Sequence, residues 1–172
     1  PAEPSNVARM AAEMKLRYIV ITSVNRDDLP DGGSHHFADT VREVRVANPE
    51  ARVEVLTPDF CGDRDAVARV LDASPHVFNH NMETVPRLYR KVRPQADYTQ
   101  SLEVLEFARR HRPEVLTKSG FMVGLGESDE EIRKLLQDLR ARDVDVATIG
   151  QYLQPTRRNL PVHSFPTPEQ YD

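Results

Sequence analysis

Short, continuously apolar runs alternate along this chain with stretches whose apolar residues recur at helical spacing, and that alternation restricts the possible folds more than any other feature. Tyr18-Ile19-Val20-Ile21 is the first such run. Its β-branched, unbroken hydrophobicity is that of a strand buried on both faces of a parallel sheet. Val53 to Leu56, His76 to Asn79, Val115 to Val123 and Val146 to Leu153 read the same way. Between them, Phe37, Val41 and Val44, then Ala66, Val67, Val70 and Leu71, then Leu102, Leu105 and Ala108 mark helix faces. Ahead of the first strand, Val7, Met10, Ala11 and Met14 fall at i, i+3, i+4 and i+7, with Ser5 or Asn6 placed to cap. Ile132, Leu135, Leu136 and Leu139 form the most regular stripe, which Ser128 and Glu131 open with a capping-box pattern.

Five strands thus alternate with five helices. The direct inference is an α/β fold with a parallel sheet. The spacing suits either part of a (β/α) barrel or an open doubly wound sheet, and periodicity does not separate them. No repeat or flexible linker divides residues 1–172, so one domain is expected, with a proline-rich segment, 154–172, leaving it. The start at Pro1 and the stop at Tyr171-Asp172 read as those of an excised piece.

Several function classes are poor fits. The net charge of −4, with both signs interspersed, gives no reason to bind nucleic acid. Apolar stretches are far short of the ~20 residues that span a bilayer, so no membrane association is expected and the chain reads as cytoplasmic or mitochondrial-matrix. One cysteine, Cys61, supplies neither a disulfide nor the ligand set of an iron–sulfur or zinc site.

Polar residues crowd the end of each strand, and in parallel α/β folds those ends share the ligand-binding face. Asn79, Asn81 and Glu83 alternate with His80 and Met82, so extended chain would project two amides and a carboxylate to one side, a set suited to a ribose diol or an amine. An Asx-rich turn is the plainer reading. Arg26-Asp27-Asp28 is either part of a site or an ion-paired loop. Lys118 is functional or reaches the strand rim, and Arg157-Arg158 is a solvated pair or a carboxylate clamp. Gly124-Leu125-Gly126 opens like a dinucleotide fingerprint, but Asp129 stands where the third glycine belongs. His35 and His36, adjacent on a helix start, cannot share one face, and Cys61 reads as an inert small side chain.

The strings TSVNRDDLPDGG (22–33), TPDFCGD (57–63), FNHNMETVPRLYRKVRPQADY (78–98), TKSGFMVGLGES (117–128) and TIGQYLQPTRRNLPV (148–162) resemble the lipoyl synthase family in collinear order. The resemblance implies a partial TIM-type (β/α)6 barrel of the radical S-adenosylmethionine (SAM) class, with about five of its parallel strands present. It implies an enzyme that inserts two sulfur atoms, at C6 and C8, into an octanoyl chain on a lipoyl carrier protein or lipoyl domain. One 4Fe-4S cluster would cleave SAM to a 5′-deoxyadenosyl radical and a second would supply sulfur, with a flavodoxin or ferredoxin as electron donor. By position, Thr22, Ser23, Asn25, Arg26, Asp27 and Asp28 would meet the SAM amino group. Asn79, Asn81 and Glu83 would contact SAM and substrate. Gly124 and Leu125 would pack near the adenine, with Gln151, Tyr152 and Leu153 on the next strand end. Lys118 would anchor a cofactor carboxylate, and Arg157 and Arg158 substrate groups.

The family's cluster-binding cysteines and its Arg-Ser-Ser-Tyr ending have no counterpart here, and Cys61 matches no family ligand. The isolated segment is therefore expected to be inactive, since radical generation needs three cysteinate ligands. Two other readings stand beside this one: a barrel fragment serving only to dock a carrier protein, and a TIM-barrel lyase using Lys118 as a Schiff-base amine.

Overall fold

A computed structural model describes residues 2–170; the Pro1 and Tyr171-Asp172 ends fall outside them. Its five strands are β1 (Tyr18–Thr22), β2 (Arg52–Leu56), β3 (Val77–Asn79), β4 (Leu116–Val123) and β5 (Val146–Gln151). They form one sheet in the order β1-β2-β3-β4-β5, every neighbouring pair parallel. Strand order that follows chain order settles the choice left open by periodicity. A doubly wound sheet reverses direction partway, whereas a barrel wall adds each strand beside the last.

The helices are α1 (Glu3–Glu13), α2 (Ser34–Ala47), α3 (Arg64–Asp72), α4 (Tyr89–Val92), α5 (Tyr98–His111) and α6 (Asp129–Arg140). They pack on one face of the sheet. Ile19, Val53, Val55 and Phe78 are buried there with apolar residues of α1, α2, α3 and α5, while Phe121 and Val123 join Leu102, Leu105, Leu135 and Leu139. Full burial of each such side chain contributes about 1.5–3 kcal/mol. The opposite face is the barrel interior, and it is open: Tyr18 and Val20 are 50% and 53% exposed.

Local departures from the sequence reading have simple causes. α1 begins at Glu3, before Ser5, because Pro4 in its first turn fixes a helical φ and lacks an N–H that would go unpaired there. Asp31, in the loop before α2, accepts hydrogen bonds from the Gly33 and His35 amides. His76 precedes β3 and turns its Nδ1 to accept the Val53 N–H at 2.9 Å. The 3-10 turn Pro86–Leu88 and the single turn α4 went unforeseen, being too short to show a period. The Ser128–Glu131 capping box is present in full.

Candidate functional site

The loops after the five strands meet at one end of the sheet, and β3 supplies the centre of that face. After Asn79 the chain bulges away from β4 and touches it again through Glu83, whose backbone sits at φ 66° and exchanges hydrogen bonds with Gly120 and Met122. A non-glycine residue in this left-handed region is uncommon and concentrates at sites where surrounding structure enforces it. The result joins two of the three residues expected to act together. Asn81 Nδ2 donates to Glu83 Oε1 at 3.1 Å, while Asn81 Oδ1 accepts from the Gly120 amide at 3.0 Å. Gly120 is required there, because a Cβ would lie 2.9 Å from both Asn81 Oδ1 and Thr148 Oγ1.

Asn79 does not join them. It is 5% exposed and its Nδ2 donates to Glu54 Oε1 at 3.0 Å, deeper in the sheet. Glu54 is a carboxylate at 2% exposure with three donors: Asn79, Tyr18 Oη at 2.6 Å and Lys118 Nζ at 2.9 Å. Burial alone would raise its pKa, yet the hydrogen bonds from Tyr18, Lys118 and Asn79 prevail and hold it below the usual carboxylate range. Burial, with the Glu54 carboxylate beside it, pushes the Tyr18 phenol up to about 12. Lys118 is therefore an ion-pair partner inside the barrel, unlike the unpaired, desolvated amine a Schiff base requires.

The loop after β1 splits its six candidates. Arg26 and Asp28 form a bidentate pair at 2.8 Å on the surface, the plainer of the two readings for that triplet. Thr22 and Ser23 line a 520 Å³ cavity toward α1 and α2. Asn25 and Asp27 line a second one, of 420 Å³, with Asp59, Cys61 and Arg93. Cys61 is exposed; residual burial and the carboxylates of Asp27 and Asp59 push its thiol up, which suits an inert side chain.

At the end of β4 the amides of Gly124 and Leu125 both donate to the Glu127 carboxylate, the second at 2.9 Å. Those N–H groups are thereby taken, and the Gly124 and Gly126 carbonyls accept from the His163 amide and from Arg87 Nη2, both at 2.8 Å. Gly124, at φ 96°, leaves no room for a side chain: a Cβ would fall 2.5 Å from Ser164 O. Gln151 Nε2 donates to Tyr152 O at 2.9 Å and Ser164 O at 3.2 Å, and the buried Tyr152 donates its hydroxyl to Leu160 O. These two residues therefore clasp segment 152–164 to the sheet end. Leu153 stays 67% exposed, and Arg157 and Arg158 lie on the exposed turn between Thr156 and Asn159.

Three contributors were missed from sequence. Arg93 Nη1 donates to Asn81 O at 2.9 Å and to Tyr89 Oη at 3.1 Å, tying α4 to the site. His80, 1% exposed, is driven down to about 4 by burial, so the neutral ring donates Nδ1–H to Thr57 O at 2.9 Å. That leaves His80 Nε2, with Asn79 Oδ1 and Thr57 Oγ1, as buried polar atoms without a partner under this face. Glu54 was visible as a carboxylate interrupting an apolar strand; Arg93 and His80 gave no such signal. Among the described residues no group of three or more His, Cys, Asp or Glu could hold a metal ion.

A parallel sheet in chain order with helices on one face is the wall of a β/α barrel, and an amide–carboxylate pair lies over a glycine at its ligand face. Residues 1–139 match the radical SAM superfamily, and the chain belongs to it. Within that class it is 59% identical over 169 residues to the lipoyl synthase of Rubrobacter xylanophilus, covering 98% of this chain and 53% of that one. It is 54% identical to the lipoyl synthase of Laribacter hongkongensis, covering 99% and 55%. The chain thus spans about half the length of these curated relatives. Solved structures share the fold: methylornithine synthase at a TM-score of 0.69 with 15% identity, covering 95% of this chain and 46% of that one. Coproporphyrinogen III oxidase of Escherichia coli gives 0.64 with 14% identity, covering 97% and 41%.

Proposed function

We propose that this chain is the SAM- and substrate-facing wall of a lipoyl synthase, which inserts sulfur at C6 and C8 of an octanoyl chain carried on a lipoyl carrier protein or lipoyl domain. The observation that carries the reading is the Asn81–Glu83 pair on the shared strand-end face, within a chain 54–59% identical throughout to lipoyl synthases. When bound, SAM supplies the one-electron chemistry. The chain's own residues bind and orient. Glu83 and Asn81 offer a carboxylate and an amide to hydroxyl or ammonium donors, and Arg93 and Gly120 hold Asn81 in place. Asn25 and Asp27 present further acceptors from the loop after β1. The Gly124–Leu125 turn, its amides closed by Glu127, is assigned to the neighbourhood of the adenine. Arg157 and Arg158, on their exposed turn, suit an anionic group of the carrier.

The described residues do not fit a 4Fe-4S cluster, since the single exposed Cys61 has no companion ligands. Both clusters, and the contact with a flavodoxin or ferredoxin donor, are assigned to parts of the longer protein. Among the described residues no helix is long and apolar enough to cross a membrane, and a cytoplasmic setting accords with the bacterial relatives.

Calorimetric titration with S-adenosylhomocysteine tests the binding assignment. Asn81→Ala and Glu83→Gln should each weaken binding at least tenfold, with Arg157→Gln unchanged. Undiminished affinity in both site variants sinks it. Anaerobic incubation with iron and sulfide should leave the chain without a stable cluster absorbance. A stable cluster that cleaves SAM overturns the assignment of the clusters elsewhere.

A further inference from the structure

A cavity of 680 Å³ opens at the other end of the sheet, where the strands begin, and no step proposed above uses it. Its rim is cationic. Arg45 comes from the last turn of α2, Arg52 from the first position of β2 and His76 from the residue before β3. The two carboxylates nearby are already engaged: Glu114 by Arg112 at 3.2 Å, and the buried Glu54 by Lys118. Arg52 makes no ion pair among the described residues.

The hydrogen-bond chemistry of His76 sharpens this picture. A backbone N–H can only donate, so the 2.9 Å contact from Val53 N makes His76 Nδ1 an acceptor and places the proton of the neutral ring on Nε2. Arg45 Nη1 lies 3.4 Å from that same Nε2. The two are therefore both donors, and their contact is not a hydrogen bond; Arg45 Nη1 instead donates to Ser74 O at 2.6 Å, which leaves the His76 Nε2–H without an acceptor from Arg45. Burial, followed by the charges of Arg45 and Arg52, lowers the His76 pKa. The His76 Nε2–H, the unpaired Arg52 guanidinium and the remaining N–H groups of Arg45, which Ser74 O holds at this rim, match an oxyanion with more than one acceptor oxygen.

The floor of the cavity has a different character. Tyr18, Leu116 and Val146, at 50%, 47% and 38% exposure, present apolar surface beside the cationic rim, next to the buried Val77. Exposed apolar surface of this kind beside a charge cluster suits a ligand with an anionic end and a hydrocarbon body.

We propose that the strand-start end of the sheet binds an amphiphilic carboxylate, its head held by Arg45, His76 and Arg52 and its aliphatic chain laid over Tyr18, Leu116 and Val146. The site is separate from the SAM-facing end, and the inference does not depend on the reaction proposed there. Titration of the chain with sodium hexanoate, sodium acetate and sodium chloride at matched ionic strength, followed by NMR of the His76 ring, provides the test. Hexanoate should shift the His76 resonances saturably and bind at least fivefold more tightly than acetate, since each buried methylene adds about 0.8 kcal/mol. Arg52→Gln, at an exposed position, should weaken hexanoate at least fivefold while S-adenosylhomocysteine affinity stays the same. A hexanoate response that sodium chloride reproduces overturns the proposal, as do equal affinities for acetate and hexanoate.

Discussion

His80 gives the ligand face a sensitivity to acid that no surface histidine would. Its folded pKa of about 4 lies below the ~6.5 of an unfolded histidine, so between these values the unfolded chain binds more protons. The stability it contributes is complete above pH ~6.5 and is lost as pH falls toward 4, by roughly 3 kcal/mol for a ring this deeply buried. Urea unfolding at pH 7, 5.5 and 4.5 should show that decline, and His80→Gln should flatten it; an unchanged slope counts against the buried neutral ring. Glu54 behaves in the opposite sense, as a charge kept by its partners. Glu54→Ala should cost about 3–5 kcal/mol in denaturant melts because it strands the Lys118 ammonium, whereas the paired change Glu54→Leu with Lys118→Leu should lose far less. Legibility at this scale was uneven. Asn81 and Glu83, expected to share a side through alternation in extended chain, are instead brought together by a bulge that ends in the left-handed Glu83. Asn79 obeyed the same alternation yet turned to Glu54, 25 residues away in sequence, a contact that only the β2–β3 register creates.

At the scale of elements, α6 carries the most local information and is the best place to weigh it. Ser128 accepts from the Glu131 amide while the Glu131 carboxylate accepts from the Ser128 amide and from Arg87 Nε at 2.7 Å. Ser128→Ala should therefore cost about 1 kcal/mol. In a domain of this size that lowers the melting temperature by about 2–4 °C, readable by calorimetry. Glu131 is held down to about 2, first by Arg87, so its contribution is present above its unfolded pKa of ~4.3 and fades as pH falls toward 2. The capping box could be read directly from the sequence because its four residues are contiguous. α4 could not, because a single turn has no period, and Tyr89 and Arg93 stabilise it through contacts with Ser101 and Asn81.

For the whole molecule, strand number and helix placement were legible from periodicity, while strand order was not, because order is a property of pairing. In this sheet β1 and β5 each have one neighbour, and Val20, Val146 and Ile149 are exposed beside those edges. Unpaired edges invite pairing with another chain. The 172-residue chain should accordingly associate as its concentration rises, and Val20→Lys with Ile149→Lys should reduce this in sedimentation velocity runs. A monomer at every concentration contradicts that expectation. The sequential order also bears on how the chain acquires its shape during synthesis. Each strand pairs with the one made immediately before it, so no strand must wait for a distant partner still to be translated. Loop-closure costs stay modest at every step, and the amino-terminal β1–α2–β2 unit can condense while later residues are still on the ribosome. The face that gathers Asn81, Glu83 and Arg93 is completed only once β4 has emerged and Gly120 can receive Asn81. Ligand binding therefore reports on the last stages of folding.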